Sequence, residues 1–377
     1  MGTPLKVVYL DHCALMSGGE IALLRLIEAL GDRVAAHVVL AEQGPIADLL
    51  EQAGADVEIL PLAEGVRSLH RDNAVGAGFT AESALELGRY TRSLGARLRK
   101  LRPDIVHTNS LKSALYGGVA GRLAGRPVLW HIRDRIAGDY LSTPAVAMVR
   151  ALSLALPSVV LTNSRSTAST LPRHSEVVYD VVSFESPAAP LPERTGPVTL
   201  GMMGRLAAWK GQHIFLDAFA RVAQDRAVRA KIIGSAMFGE QVYERELHEQ
   251  VERLGIAELV EFRGFRPDVE AEIAALDVVV HASVSPEPFG QVVIEAMALR
   301  RPVIAARAGG PSEVITDGHD GLLVSPGDVT GYAEAMRRLI DDPRLGYELA
   351  EAGLRTSQRY RPEAIAEQMM NVYARMA

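Results

Sequence analysis

The feature that most constrains this chain is one pattern used twice. Short runs rich in Val, Ile and Leu alternate with longer stretches of helical period, and the two sets are parted by SFESPAAPLPERTGP, residues 183–197, with four prolines in fifteen residues. In the first set the runs are 6–10, 36–40, 56–60, 105–107, 128–131 and 159–162, with helices over 20–30, 45–52, 81–101 and 112–124. In the second they are 198–202, 231–233, 259–262, 278–281, 303–305 and 321–324, with helices over 212–222, 243–254, 292–298 and 331–340. Runs this continuously apolar suit strands covered on both faces, and strands joined by helices form parallel sheets. The expectation is α/β: two doubly wound domains at 1–183 and 198–357, a linker at 184–197, and an amphipathic helix in the last segment, 358–377. Ligands bind outside the carboxyl ends of such sheets, so a site is expected in a central cleft between the domains.

Composition narrows the function. The 377 residues exceed what one core usually fills. With 40 Lys plus Arg against 46 Asp plus Glu, the net charge of -6 argues against a nucleic-acid partner. The single cysteine, Cys13, excludes an internal disulfide and a thiolate metal site, and fits a reducing, cytoplasmic setting. The start, MGTPLKVVYLDH, runs into a strand pattern with no secretory signal. Residues 141–161 are the most membrane-like, but Pro144, Arg150 and Pro157 interrupt them, which reads as a buried helix and strand.

Several chemistries lack their residues. No G-x-G-x-x-G opens a βαβ unit, no G-x-x-x-x-G-K-[ST] is present, and no G-x-S-x-G elbow occurs. His248-Glu249 begins an H-E-x-x-H, but position 252 is Glu252. No two aspartates stand two apart, so the D-x-D that holds a divalent metal in many sugar-nucleotide enzymes is missing. No metal and no cofactor are expected; protein cations and backbone amides would hold any diphosphate.

Three segments carry chemistry. GRLAAWKG, residues 204–211, follows a strand and puts Arg205 and Lys210 at a strand-to-helix turn, where a guanidinium fork, a point charge and helix amides converge on a diphosphate. A solvated Arg and a helix-start Lys would fit the same spacing. SPEPFGQVVIEAMALRRPVIA holds Glu287 and Glu295 eight apart: Glu287 in a loop where it would hold sugar hydroxyls, Glu295 about two turns into the next helix, where it would accept from a ribose diol or sit in a surface ion pair. The Phe289-Gly290 step lets backbone amides approach a ligand. Ser17-Gly18-Gly19-Glu20 reads as an anion-friendly helix start, or as a helix cap made by Ser17 and Glu20.

In order along the chain, SGGE, DIVHTNS, VLWHIRD, GRLAAWKG, EFRGF, EPFGQVVIEAMA and AGGPSEVITDGHDGLLVSPGD resemble glycosyltransferase family 4, the retaining nucleotide-sugar transferases of GT-B fold. The joint match of G-R-L-x-x-x-K-G with E-x(7)-E is the specific part. The resemblance implies that Arg205 and Lys210 bind the donor diphosphate and offset leaving-group charge. It implies that Glu287 bonds the transferred sugar, that Phe289 and Gly290 offer amides, and that Glu295 binds the ribose. Gly18 and Gly19 would let the first domain's loop close on the diphosphate, and Arg266 would neighbour the base. His131 matches the histidine thought to lie beside the donor sugar. His107, Asn109, Lys112 and Arg133 would face the acceptor. The donor would be a UDP-sugar, and the last helix would cross back to the first domain. At 234–236 this chain has Gly-Ser-Ala where many relatives carry Gly-x-Gly.

The expected function is a retaining transfer, by front-face substitution, of a sugar from a nucleotide diphosphate to the hydroxyl of a small molecule or natural product. An alternative moves the same chemistry to a lipid-linked or polysaccharide acceptor at the inner face of a membrane. RYTRSLGARLRKLR, residues 89–102, interleaves Arg89, Arg92, Arg97, Arg99, Lys100 and Arg102 with Leu94, Leu98 and Leu101, a pattern for peripheral contact with anionic lipid or for an ordinary crossover helix. The glycine-bearing loop 64–79 would shape the acceptor pocket. A non-catalytic sugar-nucleotide-binding protein and an epimerase of the same fold are the other readings.

Overall fold

The computed structural model describes residues 4–64, 80–184, 196–237 and 239–377. The expected acceptor loop, 65–79, and most of the expected linker, 185–195, lie outside the described residues. The chain divides into two compact units, Met1–Val181 with Arg361–Ala377, and Val182–Tyr360.

The first unit is built on a seven-stranded parallel sheet: β1 (Leu5–Asp11), β2 (Val34–Leu40), β3 (Asp56–Ile59), β4 (Ile105–Thr108), β5 (Val128–Ile132), β6 (Val159–Thr162) and β7 (Glu176–Val177), in the order β3-β2-β1-β4-β5-β6-β7. Val7, Val8, Tyr9 and Leu10 are all fully buried, which is why β1 reads as an unbroken apolar run rather than an alternating one. Chain order reverses between β1 and β4, so the loops after Asp11 and Thr108 flank the sheet's switch point. β7 has two residues, too short to leave a run that sequence reading could find.

Helix Ala81–Leu101 starts at Thr80, whose hydroxyl accepts the Ser83 N–H, and stops where Arg102 turns left-handed at φ 51°. Its Leu94 and Leu98 are fully buried in the core with Val106 and Trp130. The leucines that would have offered lipid an apolar side are therefore consumed by the sheet. The Arg97 guanidinium donates to Glu58 at 2.7 Å and Arg99 to the Leu123 carbonyl at 2.7 Å. No helix among the described residues is long and apolar enough to cross a membrane. The final helix, Pro362–Ala374, begins with proline at its first turn and packs on helix Gly18–Leu30, burying Ile365, Met369, Val372 and Tyr373. Each such side chain contributes about 1.5–3 kcal/mol on leaving water, so the segment is an integral part of the first unit.

The second unit has a six-stranded parallel sheet: β8 (Val198–Met203), β9 (Val228–Ile233), β10 (Val260–Gly264), β11 (Val278–His281), β12 (Val303–Ala306) and β13 (Leu322–Val324), ordered β10-β9-β8-β11-β12-β13. Its switch point lies between β8 and β11. Helix Pro343–Ser357 has no counterpart in the sequence reading, because Gly346 and Gly353 interrupt its pattern. Gly353 is there for packing: a Cβ would lie 3.0 Å from the Met297 side chain.

Candidate functional site

In the second unit the loop after β8 turns through Gly204, carries Arg205, makes one tight turn over Ala208–Lys210 and enters helix Gln212–Ala223 through Gly211. Gly211 has φ 80°, and a Cβ there would come within 2.0 Å of the Ala282 carbonyl oxygen. That approach, with the Val284 N–H donating to the Trp209 carbonyl at 2.9 Å, clamps the β8 loop to the loop after β11. The Gln212 amide holds the Arg205 carbonyl at 2.9 Å, and Arg205 faces Glu240 with Nε 3.5 Å from its carboxylate.

The clamp brings Lys210 and Glu287 together, with the ammonium 2.5 Å from Glu287 Oε1. The ammonium also sits 4.4 Å from the centre of the Trp209 ring. The other carboxylate oxygen accepts from the Ser283 hydroxyl at 2.8 Å, and His281 Nε2 lies 3.1 Å from that hydroxyl. The Ala306 N–H occupies His281 Nδ1, which puts the ring proton on Nε2, toward Ser283 and Glu287. Tyr332 donates to the His281 carbonyl at 3.0 Å and fixes the strand end. Burial raises the Glu287 pKa, but the Lys210 charge and the His281 hydrogen bond outweigh it and hold the carboxyl well below the usual carboxylate range. The site is therefore a charged pair largely withdrawn from solvent.

The AGGPSEV segment supports the Glu287 loop. Gly309, at φ 67°, lies so close to Glu287 that a Cβ would fall 2.0 Å from the Glu287 carbonyl oxygen, which itself accepts the Gly310 N–H at 2.9 Å. Phe289 is buried against Tyr360, with ring centres 5.8 Å apart, so its side chain belongs to the core and its backbone alone borders the loop. Gly290, at φ 82°, caps helix Gln291–Ala298. Glu295 is buried and falls little more than one turn into that helix, not two, because the helix starts directly after Gly290. Arg266 stands beyond the end of β10, two strands from β8, exposed and 3.5 Å from Glu272.

The first unit holds a second polar cluster at its own switch point. Asp11, fully buried at the end of β1, accepts from the Asn109 amide at 2.6 Å and from the His12 N–H at 2.7 Å. Burial raises its pKa, and the bonds to His12, Asn109 and Ser110 with the His12 charge bring it below the ordinary value. Asn109 also donates to the Gly19 carbonyl at 3.0 Å and accepts from Arg133 at 3.0 Å. Arg133 pairs with Asp180 and reaches His131 Nδ1 at 3.3 Å. His107 Nε2 is 3.2 Å from the same Nδ1, and His107 Nδ1 is 2.6 Å from the Tyr373 hydroxyl. Both imidazoles are neutral: burial, then the Arg133 charge, lowers His107 to about 3 and puts His131 well below its ordinary value.

His107 and Asn109 were expected to face an acceptor, yet they are enclosed, with their polar atoms bonded inside the unit. Lys112, half-buried in the helix after β4, sits in the first turn beyond Ser110. Gly18 and Gly19 open helix Gly18–Leu30; a Cβ at Gly18 meets nothing within 4 Å. The Ser17 cap does not form. Ser17 gives its hydroxyl proton to the Glu20 carboxylate, and burial followed by the Asp11 charge raises Glu20 to about 8.

Sequence reading missed His281, Ser283, Asp180 and Tyr373. His281 and Ser283 close the strand text DVVVHAS, where polar residues ending an apolar run were the available signal. Tyr373 left none, since its role depends on the fold returning the last helix to the first unit. Among the described residues no cluster of three metal-ligating side chains occurs.

Residues 184–356 match the family model "Glycosyl transferases group 1", and residues 17–184 match "Glycosyl transferase 4-like domain". The chain is 28% identical to Anabaena HepE, whose structure was solved with UDP-glucose; the superposition covers 98% of this chain and 100% of HepE at a TM-score of 0.86. It is 33% identical over 199 residues to the lipopolysaccharide core biosynthesis glycosyltransferase LpsE of Rhizobium meliloti, a match covering 52% of this chain and 54% of LpsE, about half its length. A D-inositol 3-phosphate glycosyltransferase of Corynebacterium glutamicum is 26% identical, over 89% of this chain and 88% of that protein. With one family model on each unit, in chain order, and two parallel-sheet Rossmann-like units shared with HepE over its full length, this chain belongs to the glycosyl transferases of GT-B fold, family 4 type.

Proposed function

We propose that this chain is a retaining glycosyltransferase that moves a hexosyl group from a nucleotide diphosphate, a UDP-sugar, to a hydroxyl acceptor without a metal ion. The observation that carries the reading is the Lys210–Glu287 pair at the second unit's switch point, held by loops from two neighbouring strands. One of the three ammonium donors of Lys210 goes to Glu287, and the others serve a diphosphate beside Arg205. Ionised Glu287 accepts sugar hydroxyls, and Glu295 binds the ribose. Two cations in a pocket of low dielectric offset the charge of the departing diphosphate, the task a metal performs in D-x-D enzymes. His131, a neutral imidazole of the first unit, is the histidine that the family resemblance assigns to the sugar. Glu287 is committed to Lys210, which leaves it poorly suited to act as a nucleophile, so attack from the face the leaving group vacates is favoured, the phosphate oxygen taking the acceptor's proton.

HepE supports UDP-glucose as the first donor to try, and the LpsE and inositol-phosphate relatives support polyhydroxylated acceptors, either a small polyol or a saccharide carried on lipid. The burial of Leu94 and Leu98 favours the former. A thermal-shift series with UDP, GDP, ADP and dTDP sugars tests the donor, since a ligand that binds only the folded chain raises its Tm. UDP-sugars are expected to give the largest rise, and release of UDP is expected to persist in EDTA. A sugar trapped covalently on a carboxylate would overturn front-face attack, and unchanged UDP release in Arg205→Ala, Lys210→Ala and Glu287→Ala would reduce the protein to a binding module.

A further inference from the structure

We infer that His12 is an acceptor-binding residue: Asp11 and Ser110 hold its ring as the Nδ1–H tautomer, and the Nε2 lone pair accepts a hydrogen bond from a hydroxyl of a polyol acceptor at the strand ends of the first unit. The inference rests on the reading above, since it needs a hydroxyl acceptor. His107 and Asn109, expected on the acceptor side, use their polar atoms inside the unit. What Asn109 holds is Asp11, and what Asp11 holds is His12. His12 follows β1 directly, beside the switch point of the sheet. Its Nδ1 lies 2.8 Å from Ser110 Oγ and 3.3 Å from Asp11 Oδ1. The ionised Asp11 carboxylate has no proton to give. The Ser110 hydroxyl gives its proton to Ser113 Oγ at 3.0 Å, and Ser113 gives its own to the Ser110 carbonyl at 2.9 Å. Nδ1 therefore faces two acceptors and carries the ring proton, which leaves the lone pair on Nε2.

Asp11 also accepts the His12 backbone N–H at 2.7 Å and the Asn109 amide at 2.6 Å, so the carboxylate behind the ring is fixed from both sides. Asp11, Asn109 and Ser113 are at most 1% exposed, whereas 25% of the His12 side chain is open to solvent. No hydrogen bond reaches its Nε2 among the described residues. Where a carboxylate takes the Nδ1–H of a histidine, the ring is fixed in the tautomer whose Nε2 accepts from a hydroxyl. The hydroxyl bound in this way is one that does not react, because the reacting proton passes to the phosphate oxygen. An acceptor with at least two hydroxyls is therefore required, and a polyol supplies them.

A ring that only tied the loop after β1 to the start of helix Leu111–Leu123 through Ser110 would have no such role. His12→Asn separates the two, because the asparagine amide keeps a donor at the place of Nδ1 and has nothing at the place of Nε2. The test is UDP release from UDP-glucose by the full chain with glycerol or myo-inositol as acceptor, together with histidine-selective 15N NMR at alkaline pH. Wild type is expected to show His12 as its Nδ1–H tautomer, and both polyols to raise UDP release above the rate with water alone. In His12→Asn the KM for the polyol is expected to rise about three- to tenfold, the worth of one net hydrogen bond, while KM for UDP-glucose moves less than twofold and Tm is that of wild type. His12→Gln returns an acceptor to the place of Nε2 and is expected to recover part of the loss. An Nε2–H tautomer in wild type, a polyol KM unchanged in His12→Asn, or a rise of both KM values together would overturn the inference, as would wild-type UDP release that neither polyol raises. No UDP release under any of these conditions would instead overturn the UDP-sugar reading above.

Discussion

The two units share one architecture, and each gathers its polar residues at the switch point of its own sheet, yet the two clusters are opposite in kind. The second unit's cluster is ionic: Lys210 and Glu287 face each other at 2.5 Å, with the carboxyl pulled to low pKa. The first unit's cluster ends in two neutral imidazoles whose pKa values burial and Arg133 push down. A doubly wound sheet thus supplies a place, and the charge state of that place is decided by what the loops pack around it. One cluster presents an ion pair to whatever enters the strand ends, the other two imidazoles that stay uncharged.

The sharpest break of this comparison is Lys210→Met, which keeps length and removes charge. It is expected to lower kcat/KM for UDP-glucose about thousandfold, about 4 kcal/mol, the upper range for one lost transition-state donor, and to lower Tm because Glu287 is left buried and unpaired. A loss under tenfold would erase the ionic character assigned to this cluster. Glu287→Gln is next. Turnover should fall about a hundredfold, while the Tm rise given by UDP is at least that of wild type, since Lys210 is released to the phosphates; a smaller rise would mean that the carboxylate helps bind UDP. Ser283→Ala removes one donor to Glu287 and should cost about fivefold in kcat/KM, the worth of one net hydrogen bond.

The smallest expected effect concerns pH. Glu20, raised to about 8, binds a proton in the folded chain that the unfolded chain has already lost above its ordinary value near 4.5. Stability from this group is therefore full at low pH and declines as pH rises from about 5 through 8. In Glu20→Gln that decline disappears: Tm should match wild type near pH 5 and exceed it by a few degrees at pH 8, read from unfolding curves at the two values. The two imidazoles act on the other side. Their lowered pKa values mean that stability is lost as pH falls below about 6.5, where the unfolded histidines take protons and the folded ones do not.

Much of the fold was legible because parallel strands buried on both faces leave continuous apolar runs. β6 and β11 have the bounds their runs suggest, and others differ by a few residues at frayed ends. What escaped was short or masked by glycine: β7, and helix Pro343–Ser357 with Gly346 and Gly353. Arg205, Lys210 and Glu287 were legible because a strand-to-helix turn fixes where they emerge. Their partners were not, since Ser283 and His281 declare themselves only when the strand end meets Glu287.

By itself the sequence determined the period of most long elements, helix Pro343–Ser357 excepted, the two-set α/β pattern and the residues offered at the turns, because these depend on local propensity and on which side chains must leave water. Only the tertiary structure decided that Lys210 sits on Glu287, and that His107 looks inward, onto the hydroxyl of a tyrosine four residues from the end of the chain. Hydrogen-bond direction and pKa depend on distance and burial in three dimensions, and neither is written in spacing along the chain.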